Sequence, residues 1–158
     1  MKTLIVGYGN PDRQDDGLSL HLLIELARIL GRTVDESPEN CFYPVGDEPD
    51  LWFCLQLVPE MAQTISQYDR VCFLDAHTGF SDEIMATRLA PAFEHSVLTH
   101  HLSPATLLNI CQTLSGSTPD ALLISVKGYQ FGFSRSLSQQ AQDLLPQAVQ
   151  RVVAWLRE

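Results

Sequence analysis

Basic residues are scarce in this chain. Ten Lys and Arg stand against nineteen Asp and Glu, a net charge of −9 over 158 residues. Nucleic acid and anionic membrane are poor partners for such a balance, since both need a basic face to neutralise phosphate. A metal cation or a basic protein surface fits it better. Long apolar runs are missing too. No stretch approaches the ~20 residues of a membrane span, and the N-terminus enters a strand-like segment without a signal-peptide pattern, so a cytoplasmic protein is expected. The four cysteines, Cys41, Cys54, Cys72 and Cys111, contain no C-x-x-C pair, which speaks against a structural zinc site. Also absent are G-x-S-x-G, a P-loop and H-E-x-x-H. Gly7-x-Gly9 opens like a dinucleotide fingerprint, but Asp12 stands where a third glycine belongs. An acid there would repel a pyrophosphate, so a nucleotide-binding protein is disfavoured. No serine or cysteine is placed near a His and an Asp as a triad. An enzyme with this sequence works without a conventional nucleophile.

What is present alternates between two periods. Apolar runs at Leu4-Ile5-Val6, Leu51-Trp52-Phe53-Cys54-Leu55, Val71-Cys72-Phe73-Leu74 and Ala121-Leu122-Leu123-Ile124-Ser125-Val126 read as buried parallel strands. Glu83 to Leu89 alternates like an edge strand, and Cys41-Phe42-Tyr43 is a short candidate strand. Between the runs, helical spacing links Leu18, Leu22, Leu23, Leu26 and Leu30 as far as a stop at Gly31. Pro59 fits the first turn of a helix carrying Met61, Ala62 and Ile65. Ser103 and Pro104 start another helix as cap and first residue. Ser136 with Gln139 forms a capping-box signature for the last helix, which Pro146 should kink or break. Strands alternating with helices imply one α/β domain over residues 1–158: a three-layer α/β/α sandwich. Its sheet is mostly parallel, with about five strands and one antiparallel edge strand.

In an open parallel sheet, ligands bind beyond the carboxyl ends of the strands. The polar residues falling there are Asn10 and Asp16 after the first strand, Gln56 after the second and Asp75 after the third. Gly7 and Gly9 let the backbone turn or approach a partner closely. Asp15 and Asp16 fall at a helix N-terminus and are expected to aim into the crevice. His100 and His101 precede a helix and can point into the same crevice; His77 and His95 have no independent support as ligands. Two carboxylates and an imidazole from three distant segments make a ligand set for a divalent metal such as nickel or zinc. Each of these residues taken singly also has an ordinary reading, as a helix cap, a strand-end acid or a solvated loop.

At these residues the chain resembles the hydrogenase maturation proteases, endopeptidases that trim the large subunit of nickel–iron hydrogenases. The family opens with an apolar strand, G-x-G-N, four variable residues, then D-[DE]-G. Here that is Gly7-Tyr8-Gly9-Asn10 followed by Asp15-Asp16-Gly17. Asp75-Ala76 matches the family's later D-A, and Thr99-His100-His101-Leu102-Ser103-Pro104 matches its histidine ahead of a helix. Leu55-Gln56-Leu57-Val58-Pro59-Glu60-Met61-Ala62 resembles the subgroup serving bidirectional, NAD(P)-linked hydrogenases, although Leu55 stands where that subgroup often has histidine. Ser19 replaces a glycine common after D-D-G.

The resemblance implies an endopeptidase that removes the C-terminal extension of a nickel-loaded large-subunit precursor. The precursor's nickel would serve as the recognition element. Asp16, Asp75 and His100 would be the metal-contacting and catalytic residues, with His101 competing for the third place. Gly7, Gly9, Asn10 and Gln56 would line the substrate. Nickel would come from the precursor, and cadmium or zinc could take its place in vitro. The implied protein is a monomer with no nucleic-acid or membrane partner. A non-cleaving checkpoint or chaperone that binds nickel and precursor is the second reading.

Overall fold

The computed structural model describes residues 1–32, 48–94 and 102–158. The candidate strand at Cys41-Phe42-Tyr43 lies outside them. Five strands form one sheet: β1 (Thr3–Tyr8), β2 (Asp50–Cys54), β3 (Arg70–His77), β4 (Ile84–Leu89) and β5 (Asp120–Lys127). Their order across the sheet is β2-β1-β3-β5-β4. The pairs β1–β2, β1–β3 and β3–β5 are parallel, and β4 runs antiparallel along β5 at the edge. Among the described residues, four helices pack on the sheet: α1 (Leu18–Ile29), α2 (Met61–Ile65), α3 (Pro104–Ser115) and α4 (Gln139–Leu156). A 3-10 turn over Gln14–Gly17 leads into α1.

Side chains alternate across the strands, so each buried strand feeds two cores. Ile5, Cys72, Leu74 and Ile124 pack with α1 and α4 through Leu18, Leu22, Leu23, Ala148 and Val152. Leu4, Val6, Val71 and Phe73 face the other way and pack with α2 and α3 through Met61, Ile65, Leu107 and Leu108. This is the three-layer α/β/α architecture that the run pattern implies. Among the described residues, no helix is long and apolar enough to cross a membrane.

Three local details differ from the sequence expectation. β3 does not end before Asp75: it continues to His77 because β5 is long enough to pair Asp75 with Ser125 and His77 with Lys127. The last helix is capped by Ser138, whose hydroxyl accepts from the Ala141 N–H, and not by Ser136. Nor does Pro146 break α4, which is helical on both sides of it. Pro146 and Gln142 both lie on the exposed face of α4, away from the core, where the lost i+4 bond costs least.

Candidate active site

Parallel register brings the carboxyl ends of β1, β2 and β3 to one edge. Gly7 pairs with Leu74 on one side and with Phe53 on the other. One residue further, Tyr8 and Asp75 stand side by side and point to the α2/α3 face, as Val6 and Phe73 do. The β1–α1 connection folds over this end and carries Asp16. Together these elements enclose a pocket of about 280 Å3 lined by Tyr8, Gly9, Asp16, Leu55, Gln56, Leu57, Asp75, Ala76 and Leu102. A larger open groove of about 520 Å3 lies between α1 and α4, but Glu25 is its single ionisable lining group. A further open groove of about 580 Å3 is lined by Asp82, Glu83, Lys127 and Arg151, but the pocket at the sheet edge is the one that holds the acids of the opening motif and of β3.

Gly9 shapes the pocket wall. Its φ is +141°, and a Cβ placed on it would lie 2.0 Å from the Asp16 carbonyl oxygen, so only glycine fits. The turn this permits lets the Asn10 N–H donate to Asp16 Oδ2 at 2.8 Å. The Asn10 side chain is committed locally, its Oδ1 accepting from the Asp12 N–H at 3.0 Å. Gly7 serves a different contact: a Cβ there would meet Leu23 Cδ1 at 2.7 Å and Ser19 Cβ at 3.1 Å, so α1 itself takes up the space. Ser19 is buried and donates to the Tyr8 carbonyl at 2.7 Å.

Asp75 is half-buried at the pocket floor. Its Oδ1 accepts from the Ala76 N–H at 2.7 Å and its Oδ2 from the Tyr8 hydroxyl at 3.0 Å. Burial, and then the Asp75 charge beside it, push the Tyr8 phenol far above its ordinary value, so it keeps its proton and acts as donor. Gln56 is exposed at the rim.

Asp15 corrects the expectation of two acids aimed into the crevice. It is fully buried on the opposite side of the 3-10 turn. Its carboxylate accepts from the N–H groups of Tyr129, Gln130 and Ser138 and from the Ser138 hydroxyl, at 2.7, 2.9, 2.8 and 2.6 Å. Burial alone would raise its pKa; the Ser138 hydroxyl and the three N–H donors outweigh that and lower it. Asp15 thus ties the turn to the segment after β5, and its neighbour Asp16 is left facing the pocket.

Asp16 and Asp75 therefore line one pocket, with Gly9 and Gln56. His95, His100 and His101 lie outside the described residues; Leu102, next in sequence, lines the pocket. Among the described residues, no three His, Cys, Asp or Glu side chains form a metal-binding group. His77 is engaged elsewhere, through Nδ1 with the Ser125 hydroxyl and Nε2 with the Asp82 carbonyl. Sequence reasoning missed Tyr8 and Ser138. Tyr8 could have been found as the variable residue of G-x-G-N, beside Asp75 once β1 and β3 are in register.

No family model matches the chain, and no curated protein matches it. Solved structures do match in fold. The hydrogenase maturating endopeptidase HybD from E. coli is 18% identical with a TM-score of 0.72, and the match covers 99% of this chain and 93% of that one. The [NiFe] hydrogenase maturation protease HycI from Thermococcus kodakarensis KOD1 is 19% identical with a TM-score of 0.68 over the same shares. An endopeptidase from Escherichia coli reaches a TM-score of 0.73 at 16% identity, again over 99% and 93%. At such identities the likeness is one of fold. The family that the opening motif resembles and the family whose solved structures share this fold are the same, the hydrogenase maturation endopeptidases.

Proposed function

We propose that this chain is an endopeptidase that removes the C-terminal extension of the nickel-loaded large-subunit precursor of a nickel–iron hydrogenase. One observation carries the reading: Asp16 and Asp75 line a single pocket at the carboxyl edge of a fold shared with hydrogenase maturation endopeptidases. Two carboxylates, with His100 as third donor or His101 in its stead, form an oxygen–nitrogen set suited to nickel. The metal in this scheme arrives with the substrate. Held there, it offers a Lewis acid for the scissile carbonyl and a means of activating water.

The chain's own residues do the placing. The Asn10 N–H holds Asp16 and the Ala76 N–H holds Asp75, so both carboxylates are oriented before substrate arrives. Gly9 puts no side chain into the wall, which leaves room for an extended peptide. Gln56 at the rim can pair its amide with that peptide's backbone, and Leu55 and Leu57 offer apolar contact. The net charge of −9 disfavours nucleic acid and anionic lipid as partners, and a cytoplasmic monomer belongs to the same proposal.

The test is an intact-mass measurement of nickel-loaded precursors before and after incubation with the protein. Loss of the C-terminal extension is expected. If Asp16→Asn and Asp75→Asn both process as well as the parent chain, the reading fails. A stable complex whose precursor mass never changes would favour the checkpoint instead.

A further inference from the structure

We infer that Phe133 is a docking anchor for the folded body of the protein substrate: held out from the loop after β5, it fits an apolar recess on the precursor while the precursor's tail enters the pocket. The inference rests on the function proposed above and adds a contact outside that pocket. The loop leaves the carboxyl end of β5 at Gly128, whose N–H donates to the His77 carbonyl at 2.8 Å, and crosses to the β1–α1 connection. There it is tied down along its length. The Asp15 carboxylate takes the N–H groups of Tyr129 and Gln130, and the Asp15 N–H donates to the Gln130 carbonyl at 3.0 Å. The Gly132 N–H donates to Gln14 Oε1 at 2.8 Å. The Ser134 N–H donates to the Asp12 carbonyl at 3.1 Å, and the Ser134 carbonyl accepts from the Gln14 N–H at 2.8 Å. Gln14 holds a φ of +47°, which residues other than glycine rarely adopt, and the bonds on both sides of it keep it there.

Phe133 thus stands between two anchored neighbours, and its side chain is 98% exposed. The loop does not use it for packing. Phe131 fills that role, lying so close to Gly128 that a Cβ there would come within 2.6 Å of its Cζ. A large aromatic left in water by a loop already fixed in place has the form of a binding hot spot, since contact buries its area and little freedom remains to be lost. What covers it follows from where the loop is tied. Gln14 and Asp15 lead directly into Asp16, which lines the pocket, so loop and pocket share one piece of backbone. A folded protein whose C-terminal tail reaches Asp16 lays its own surface against this edge of the sheet. Phe80 is equally exposed but sits on the β3–β4 turn, which His77 and Lys127 hold through the Asp82 and Glu83 carbonyls.

The experiment is steady-state processing of the nickel-loaded large-subunit precursor, followed by intact mass over a range of precursor concentrations. It compares the parent chain, Phe133→Ser and Phe80→Ser, with melting temperatures for all three. The expected result is a KM raised roughly 10–100-fold by Phe133→Ser, the range of an aromatic hot spot, with kcat within about twofold of the parent. Phe80→Ser should leave both parameters within about twofold, and melting of either variant should shift by less than about 2 °C, because an exposed ring adds no packing. If Phe133→Ser keeps the parent KM, or lowers kcat at an unchanged KM, the inference falls and the proposed function stands. An equal rise in KM with Phe80→Ser also overturns it, by showing general surface adhesion in place of a site. A larger loss of melting temperature in Phe133→Ser overturns it as well, by showing a structural role. If the parent chain leaves the precursor uncut, the proposed function falls and takes the inference with it.

Discussion

Replacing Asp15 by asparagine probes how the turn presenting Asp16 is held. The carboxylate is fully buried and accepts four hydrogen bonds, three on Oδ2 and one on Oδ1. In Asp15→Asn the amide oxygen can keep the three bonds, but uncharged, and each weakens by roughly 1 kcal/mol. The amide nitrogen then faces the Ser138 N–H, donor against donor, and that buried N–H loses its partner at a cost of about 1–3 kcal/mol. The bonds are not strictly additive, so the expected loss is about 3–5 kcal/mol, a large part of the ~5–15 kcal/mol that holds a typical domain together. Urea unfolding at pH 7 reads this directly; with a slope near 2 kcal/mol/M, the midpoint should fall by about 2 M. The pH dependence supplies a second check. Asp15 has a lowered pKa in the folded chain. Its contribution is therefore fully present above the unfolded value near pH ~4 and is lost as pH falls through the folded value. The stability gap between parent and Asp15→Asn should be constant from pH 7 to about 5 and shrink below ~4. An Asp15→Asn chain as stable as the parent at pH 7, or a gap that stays the same on acidification, would refute the reasoning.

Other outcomes follow from the same contacts. Gly9→Ala puts a Cβ against the Asp16 carbonyl at a φ of +141°; the turn must move, costing about 1–3 kcal/mol in thermal unfolding and most of the precursor processing. Asp16→Asn and Asp75→Asn should each lower processing by at least ~100-fold, about 2.7 kcal/mol of barrier, in single-turnover mass assays with the fold retained by circular dichroism. Arg70→Ala removes a buried guanidinium that stacks 4.0 Å from the Trp155 ring and donates to the Trp155 carbonyl at 2.5 Å. Roughly 2–4 kcal/mol should be lost in urea, with the catalytic rate of the remaining folded protein unchanged. His100→Ala should abolish processing and His101→Ala should leave most of it, and the reverse pattern would move the third donor to His101.

Much of the candidate site was legible in the chain because its signals are local. A strand-ending G-x-G-N, an acid pair six residues on and an acid closing an apolar run all place polar groups at one sheet edge once parallel topology is assumed. The pairing of Asp16 with Asp75 in one pocket follows from that topology. What each neighbour does with its side chain does not. Asp15 and Asp16 are chemically alike and adjacent, and no local rule says which turns inward. Ser136 carried the better capping signature, yet Ser138 caps α4 because Asp15 holds both its N–H and its hydroxyl.

By itself, the sequence determined the alternation of strand and helix, the two apolar faces of the sheet and the loops that bear the acids. These depend on periodicity, caps and glycine placement, which act over a few residues. Only the tertiary structure decided the strand order β2-β1-β3-β5-β4, the donation from Tyr8 to Asp75 and the inward turn of Asp15. Those rest on partners 67 residues away for Tyr8 and 114 to 123 residues away for Asp15. A buried carboxylate must find donors wherever the fold brings them, and the distance along the chain between it and those donors carries no local trace.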